Sequence, residues 1–263
     1  MVIFDSHAHY DDSRFEREYE GGAMAALRDA KSAGVEYIVN SGADIETSRA
    51  SISFAKDGGG ELPQIYASVG IHPSETGRYE LSGALDTLRR LSSEDKVVAI
   101  GEIGLDYHYP DTDKKTQAEF FRAQMELARE LSMPVVIHDR DAHGDIFDVV
   151  REFRDLRIML HCYSGSPEMA RQYADMGVYL SFGGVLTFKN APRARESASV
   201  IPRELLMLET DAPYLAPVSH RGKLNTSAYM VYTVETLAGI LGIDAESAAA
   251  VATENSKRFY NIK

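Results

Sequence analysis

"VIFDSHAHY", residues 2–10, joins a short apolar run to two histidines that are one residue apart. Side chains alternate between the two faces of an extended strand, so His7 and His9 point to the same side, about 7 Å apart along the chain at roughly 3.3 Å per residue. Two imidazoles on one side of a strand end can share a metal ion. A histidine pair on a solvated turn is the alternative, and the rest of the chain decides between the two.

Further runs of apolar and β-branched residues repeat this pattern along the chain. Together they predict eight strands, at residues 2–6, 35–39, 65–70, 97–101, 135–138, 158–161, 178–182 and 205–209. Helical segments lie between them, such as residues 116–132, where Thr116 and Glu119 predict a capping box. Strands that alternate with helices predict parallel pairing with right-handed crossovers.

Eight such units in 263 residues match the size of a closed (β/α)8 barrel, a TIM barrel of the α/β class, which is typically about 250 residues long. We therefore expect one barrel domain over residues 1–263. An open doubly wound sheet is the alternative, but its dinucleotide-binding form has a glycine-rich turn where this chain has "DSHAHY". The tail from Asn225 to Lys263 contains no strand pattern and predicts the last barrel helix plus one extra helix.

Composition excludes several classes of protein. The net charge of −12 leaves no broad basic surface for gripping duplex nucleic acid. The single Cys162 excludes an intrachain disulfide framework and a cysteine-based zinc ribbon. No apolar run approaches the roughly 20 residues of a membrane span, and the first run breaks at Asp5, too early for a secretory signal. We expect a cytoplasmic protein that binds no membrane.

Polar residues collect at the predicted strand ends, which is where a barrel of this type places its active site. Five of the eight histidines and three carboxylates lie there: His7, His9, His72, His138, His161, Glu102, Glu209 and Asp211. A lone histidine at a strand end is usually a hydrogen-bonded core residue, Glu102 could cap a helix, and Asp211 could start a turn. Taken together, however, these interpretations would bury several unpaired charges at the same end of the barrel, and burial of unpaired charge costs free energy.

A metal cluster removes that difficulty. Imidazole with carboxylate suits Zn²⁺, Mn²⁺ or related divalent ions rather than a calcium cage. The candidate ligands outnumber those that one catalytic tetrahedral zinc requires; they are His7, His9, Glu102, His138, His161 and Asp211. We therefore expect two ions, with a carboxylate such as Glu102 bridging them at a separation of about 3.5 to 4 Å.

Six motifs place these residues in a recognisable order: "DSHAH", "GIHP", "GEIGLDY", "HCYSGS", "SFGGVLTFKNA" and "LETDAPYL". The set resembles the TatD-like hydrolases, metal-dependent deoxyribonucleases of the amidohydrolase superfamily, and the likeness runs nearly end to end, including "TENSKRFY". The resemblance implies a first metal held by His7, His9, Glu102 and Asp211. It implies a second metal held by Glu102, His138 and His161.

The resemblance also implies catalytic roles. Asp211 orients or deprotonates the attacking water, while Glu209 and His72 support the nucleophile or the scissile phosphate. Arg140 is a candidate phosphate clamp, because a guanidinium matches phosphate oxygens in bidentate fashion, although an ordinary surface arginine is the alternative. Ser164 and Gly165 could offer hydroxyl and backbone donors to the substrate, or form a plain turn.

The chain departs from the family pattern in one segment. Where relatives commonly read RGKRNEP, this chain reads "RGKLNTS", so that Leu224, Thr226 and Ser227 replace arginine, glutamate and proline. Ser74 also stands where a second histidine is common. We expect these changes to alter the outer rim of the site and, with it, the length or polarity of the preferred substrate.

The leading hypothesis is metal-assisted hydrolysis of phosphodiester bonds at single-stranded DNA ends, in the 3′ to 5′ direction, with two Zn²⁺, Mn²⁺ or Mg²⁺ ions activating water and no organic cofactor. A deep barrel mouth favours strand ends over continuous duplex. Hydrolysis of a small amide, ester or lactone by the same metals is the first alternative. A metal-bearing barrel that binds a partner without catalysis is the second. The sequence leaves the oligomeric state open.

Overall fold

The structure is a computed structural model that describes residues 1–109, 111 and 113–263. Eight parallel strands form one sheet whose order follows the chain. The strands are β1 (Ile3–Ala8), β2 (Val35–Ser41), β3 (Gln64–Val69), β4 (Val97–Asp106), β5 (Val135–Arg140), β6 (Ile158–Leu160), β7 (Tyr179–Phe182) and β8 (Leu206–Leu208).

The sheet curls until its last strand reaches its first. Ala8 and Ala212 form a parallel bridge, and the backbone N–H of His9 donates to the carbonyl of Ala212 at 2.7 Å. This sequential strand order and near closure confirm the predicted (β/α)8 barrel. They exclude the doubly wound alternative, in which the strand order reverses part-way through the sheet.

Helices follow the strands and surround the sheet. They are α1 (Arg14–Glu18), α2 (Gly22–Ser32), α3 (Ile45–Asp57), α4 (Leu81–Leu91), α5 (Lys114–Leu131), α6 (His143–Glu152), α7 (Pro167–Asp175), α8 (Pro192–Val200), α9 (Met230–Leu241) and α10 (Ala245–Tyr260). The last two confirm the prediction of a final barrel helix and one extra helix. No single helix in the described ranges is long and apolar enough to cross a membrane; α9 with the turn before it (Ser227–Leu241) and α10 pass that test only as a pair bent by 102°.

The start of α5 corrects one prediction. Thr116 and Glu119 do not form a capping box, because the helix begins two residues earlier, at Lys114. The side chain of Asp113 is the cap, and its Oδ1 accepts the backbone N–H of Thr116 at 3.1 Å. A carboxylate is a strong N-cap, so this residue fixes the start of the helix.

The interior of the barrel has its own apolar core, separate from the larger core between sheet and helices. It combines inward-facing residues of the strands with two aromatic residues of α10, Phe259 and Tyr260. The hydroxyl of Tyr260 donates to the carbonyl of Ser6 at 2.7 Å. The extra helix therefore closes the N-terminal end of the barrel and leaves the C-terminal end as its mouth.

Several strands run further toward the mouth than predicted. β4 continues to Asp106 instead of ending at residue 101, and β1 continues to Ala8. Glu102 and His7 therefore lie inside strands rather than after them, which gives their side chains the fixed directions of a pleated sheet.

Candidate metal centre

The histidine pair at the end of β1 presents two ring nitrogens to one point. The Nε2 atoms of His7 and His9 are 3.0 Å apart. Nδ1 of His9 lies 2.8 Å from the carbonyl oxygen of Ser41, which only accepts hydrogen bonds, so the proton of the neutral ring is on Nδ1 and the lone pair is on Nε2. Nδ1 of His7 is 3.1 Å from the Ser41 hydroxyl. Two ring nitrogens that converge at this distance can both bind one cation, so the pair fits a metal ion.

Two carboxylates complete this first group of donors. Oδ1 of Asp211 lies 3.5 Å from Nε2 of His9 and 3.8 Å from Nε2 of His7. Oε2 of Glu102 lies 3.4 and 3.5 Å from Nε2 of His7 and His9 respectively. The backbone N–H of Asp211 donates to the carbonyl of His7 at 3.0 Å, so the closing edge of the barrel holds the first and last candidate ligands in register.

The other oxygen of Glu102 faces a second group. Oε1 lies 2.8 Å from Nδ1 of His138 and 2.8 Å from Nε2 of His161, and these two nitrogens are 3.2 Å apart. One buried carboxylate thus separates two sets of nitrogen donors. This is the arrangement expected of a ligand that bridges two ions.

A carboxylate stands behind each ring of the second group. Oδ2 of Asp106 is 3.4 Å from Nε2 of His138, and Oε1 of Glu209 is 3.5 Å from Nδ1 of His161. Each carboxylate favours a proton on the outer nitrogen and leaves the inner nitrogen free to bind a cation, as is usual around metal-binding histidines.

A glycine allows the two strands of the second group to approach each other. Gly104 of β4 pairs with His138 of β5, and its φ of +142° lies in a region that L side chains rarely adopt. A Cβ at this position would lie 2.0 Å from the carbonyl oxygen of His138. Any side chain at residue 104 would therefore push His138 away from Glu102.

His72 directs an N–H group toward the cluster. It lies near Glu102 and His138, and distance alone would make it a ligand of that group. Its Nδ1, however, accepts the backbone N–H of Ser74 at 3.1 Å, which places the proton of the neutral ring on Nε2, 3.6 Å from Oε1 of Glu102. Burial and the neighbouring His138 lower the pKa of His72 to about 3, so the ring stays neutral. It presents an N–H donor to the cluster rather than a lone pair.

The charges of the cluster depend on one another. Burial acts to raise the pKa of Glu102, but the charge of His161 and the hydrogen bond with His138 outweigh it and hold the pKa well below its usual range. Burial likewise opposes protonation of His161, yet Glu102 and Glu209 raise its pKa well above the usual value. The site is therefore built around fixed negative charge that requires positive charge in its centre.

Known proteins are similar to this chain in sequence and in fold. A sequence model described as "TatD related DNase" matches residues 4–261. The chain belongs to the TatD family. It is 38% identical to the uncharacterized metal-dependent hydrolase YabD of Bacillus subtilis, over 99% of this chain and all of that one. It is 36% identical to the uncharacterized metal-dependent hydrolase YcfH of Escherichia coli K12, over all of this chain and 97% of that one.

The solved structure of YjjV, a TatD homolog from Escherichia coli K12, superimposes on this TatD barrel with a TM-score of 0.90. The two are 26% identical over 99% of this chain and 98% of the other. These comparisons confirm the family and its barrel. They make this chain a member of a family of metal-dependent hydrolases.

The residues expected to bind substrate lie outside the candidate metal cluster of this TatD barrel. Arg140 is exposed at the end of β5, with its guanidinium carbon 5.7 Å from the centre of the Tyr109 ring. Ser164 is exposed on the loop after β6. Gly165 is buried in that loop, and its carbonyl accepts the hydroxyl of Ser197 at 3.4 Å. No hydrogen bond among the described residues links Ser164 or Gly165 to the cluster.

The altered "KLNTS" segment does not lie on the outer rim of this TatD barrel, so that expectation is wrong. Leu224 is 8% exposed, and Thr226 and Ser227 are fully buried. The hydroxyl of Ser227 donates to Oδ2 of Asp5 at 2.6 Å, beside the Thr210 hydroxyl, which donates to the same oxygen at 2.6 Å. The substitution changes the support beneath the last ligand strand rather than a surface that meets substrate.

Sequence reasoning missed the residues that support the ligands. Asp106 stands four residues after Glu102 in "GEIGLDY", and that even spacing places both on one face of a strand, but the predicted strand ended too early to use it. Asp5 lies two residues before His7, and this even spacing likewise places both side chains on one face of β1. Ser41 acts through its backbone carbonyl and has no signal in the sequence.

Proposed function

We propose that this TatD-family protein is a deoxyribonuclease that removes nucleotides from single-stranded DNA ends, in the 3′ to 5′ direction, with two divalent ions, Zn²⁺, Mn²⁺ or Mg²⁺. The observation that carries the proposal is Glu102, whose two oxygens face two separate groups of nitrogen donors. Sites with two ions suit the in-line displacement of phosphodiester hydrolysis. DNA and the direction of cleavage follow from the family resemblance.

His7, His9, Glu102 and Asp211 would hold one ion. Glu102, His138 and His161 would hold the other. When bound, divalent cations of this kind lower the pKa of water and stabilise negative charge on phosphate oxygens.

The protein's own groups then have separate tasks. The carboxylate of Asp211 directs Oδ1 toward the histidines, so Oδ2 is the oxygen that accepts the proton of the attacking water. The pKa of Asp211 is lowered, because His9, His161 and His7 outweigh the effect of burial, and the group is ionised and able to act as a base at neutral pH. Nε2–H of His72 donates to a phosphate oxygen. Arg140 binds the next phosphate along the strand.

The charge of the protein favours single strands and ends over duplex. With 28 basic and 40 acidic residues, the chain has no excess of cations to neutralise a long row of duplex phosphates. A flexible strand end can enter the mouth of a closed barrel, whereas the middle of a duplex cannot reach donors that lie at the ends of buried strands.

A panel of substrates tests the proposal. Purified protein with Mn²⁺ or Mg²⁺ is incubated with single- and double-stranded DNA labelled at either end, with RNA, and with a lactone, an ester and an amide. We expect 5′-labelled single strands to shorten in a ladder, and Asp211→Asn to lose about 100- to 10,000-fold in kcat while retaining the circular-dichroism spectrum of the parent.

Other outcomes would contradict the proposal in distinct ways. Solved structures named as lactonases share this barrel fold at 16–17% identity, which shows the fold alone. The lactone, ester and amide in the panel are therefore needed as competing substrates. Lactone, ester or amide turnover that exceeds DNA turnover by orders of magnitude favours the first alternative. No chelator-sensitive turnover of any substrate, by protein that binds metal, favours a non-catalytic binding protein.

A further inference from the structure

We propose that Tyr109 and Tyr214 are stacking platforms for two bases of the substrate strand, one on each side of the metal centre. The inference rests on the proposed nuclease function and names the residues that would make the site prefer a single-stranded nucleic acid over other phosphodiesters.

Exposed aromatic rings are rare in this chain, and both lie at the barrel mouth. The sequence contains 14 tyrosines and 10 phenylalanines. Within residues 1–109, 111 and 113–263, only Tyr109 and Tyr214 belong to the exposed class, at 59% and 44%. One follows β4 and the other follows β8. A ring left in water where substrate must pass indicates a partner with a flat apolar face.

Tyr214 lies beside the first group of ligands. The centre of its ring is 6.4 Å from the centre of the His9 ring. Its hydroxyl donates to Oδ2 of Asp12 at 2.7 Å, which fixes the ring in place. The guanidinium carbon of Arg14 lies 5.7 Å from the ring centre. The ring is thus held rigidly at the edge of the cluster, with a cation next to it.

Tyr109 repeats this arrangement beside the second group. The guanidinium carbon of Arg140 lies 5.7 Å from its ring centre. The preceding residue, His108, donates its backbone N–H to Oδ1 of Asp106 at 2.9 Å, while Oδ2 of Asp106 is 3.4 Å from Nε2 of His138. Asp106 therefore connects the loop that carries Tyr109 to a ligand of the cluster.

The order of the strands places the two pairs on opposite sides of the mouth. Tyr214 and Arg14 follow β8 and β1, which meet where the barrel closes. Tyr109 follows β4 and Arg140 ends β5, and these two strands form the middle of the same eight-stranded sheet. In a closed barrel the middle of the sheet faces its closing edge. A strand that passes over the metal centre would meet one tyrosine–arginine pair before it and the other after it.

The chemistry of these pairs fits a nucleotide. An aromatic ring stacks on any base, because every base has a flat π face, and an unpaired arginine beside it binds a phosphate. Arg14 is already held by both carboxylate oxygens of Glu18, at 3.0 and 3.2 Å, so the Tyr214 side contributes its ring rather than a free cation. Arg140 forms no salt bridge with any described residue, so its guanidinium can bind a phosphate. In a chain with a net charge of −12, stacking also supplies affinity that does not require a basic surface.

Strands with single abasic residues test the proposal. A series of labelled single strands is prepared in which one base at a time is removed, at each position around the scissile bond. Hydrolysis is measured for the wild type, Tyr109→Ala and Tyr214→Ala, with Tyr109→Phe and Tyr214→Phe as matched controls that retain the ring, and Val2→Ala as a control at the opposite end of the barrel. Thermal melting and metal content verify that each variant is folded and loaded.

Each alanine variant is expected to lose about 5- to 150-fold in kcat/KM on an intact strand, mostly through KM, while the phenylalanine variants stay within a few-fold of the wild type. In the wild type, one abasic position should reproduce the loss for each tyrosine. That same abasic position should cause little further loss in the matching alanine variant.

The controls separate the two proposals. If the wild type cleaves intact strands but the alanine variants do so equally well, or if abasic losses add fully to the alanine losses, the stacking role is wrong and the nuclease proposal stands. A wild type that binds metal yet cleaves no intact strand overturns both.

Discussion

Replacing Asp106 with asparagine should weaken one half of the metal centre and spare the other. The carboxylate lies behind His138, with Oδ2 at 3.4 Å from Nε2, a contact between charges rather than a hydrogen bond. Its negative charge favours a proton on Nε2 over one on Nδ1, the atom that faces Glu102. An amide is neutral and can turn its NH2 group toward the ring. The ring would then lose the charge that favours the tautomer able to bind a cation.

The structure sets the size of the effect. Loss of such an outer carboxylate typically weakens metal binding by about 10- to 100-fold. The separation of 3.4 Å is longer than an ideal hydrogen bond, so we expect the lower end of this range, about tenfold, which corresponds to about 1.4 kcal/mol. Asp106 forms no hydrogen bond or ion pair with His7, His9 or Asp211 among the described residues, so an ion that binds there should keep its affinity.

Competition with a fluorescent chelator measures both affinities, because the two ions are removed in sequence as the chelator concentration rises. Asp141→Asn is the matched control: Asp141 pairs with His108 at 2.9 Å, which is closer than the Asp106 pair but outside the cluster. Equal weakening of both ions, no weakening of either, or the same change in Asp141→Asn would refute the reasoning.

Further predictions concern His72, the buried Phe259 and the ion pair of His143 with Asp139. His72→Ala should keep its full metal content but lose about 100-fold in kcat, because the ring presents N–H to the site; loss of metal would show that it is a ligand. Phe259→Ala should lower the free energy of unfolding by about 3 to 5 kcal/mol in denaturant titrations with little change in kcat, since the ring is fully buried at the far end of the barrel; a loss below 1 kcal/mol would contradict this. Asp139 raises the pKa of His143, so the protonated ring stabilises the fold below its unfolded pKa and the effect disappears as pH rises through the folded pKa. His143→Gln should therefore destabilise the protein at pH 5.5, by less than about 1 kcal/mol for this partly exposed pair, and by less again at pH 8.5; the opposite trend would be inconsistent with the pair.

The fold could be predicted because its signal is repeated. Each of eight short apolar runs is followed by a helical pattern, and the count and chain length match one closed barrel. The ends of the strands could not be placed, because polar residues that face the mouth, such as His7 and Glu102, read as the start of a loop. The cap of α5 was also missed, since Asp113 lies before the apolar pattern from which the helix was recognised.

The clustering of the six candidate ligands could be predicted because metal binding requires particular residue types and barrels place them at strand ends. The structure brings all six sequence-predicted ligands together. What the sequence does not contain is the direction of each ring. His72 reads like the other histidines, and only the backbone N–H of Ser74 shows that its lone pair is turned away from the cluster. Ser41 orients His9 through its backbone carbonyl, which every residue type has, so the sequence does not mark this position.

The shared position of Glu102 between two ions can be tested by counting metal. Wild-type protein and Glu102→Gln are loaded with Mn²⁺ or Zn²⁺, desalted, and analysed for metal per chain by mass spectrometry. We predict two ions per wild-type chain and at most one in the variant, because an amide offers a single oxygen where the carboxylate offers one to each side. A wild type that retains one ion or none, or a variant that still retains two, would contradict the account.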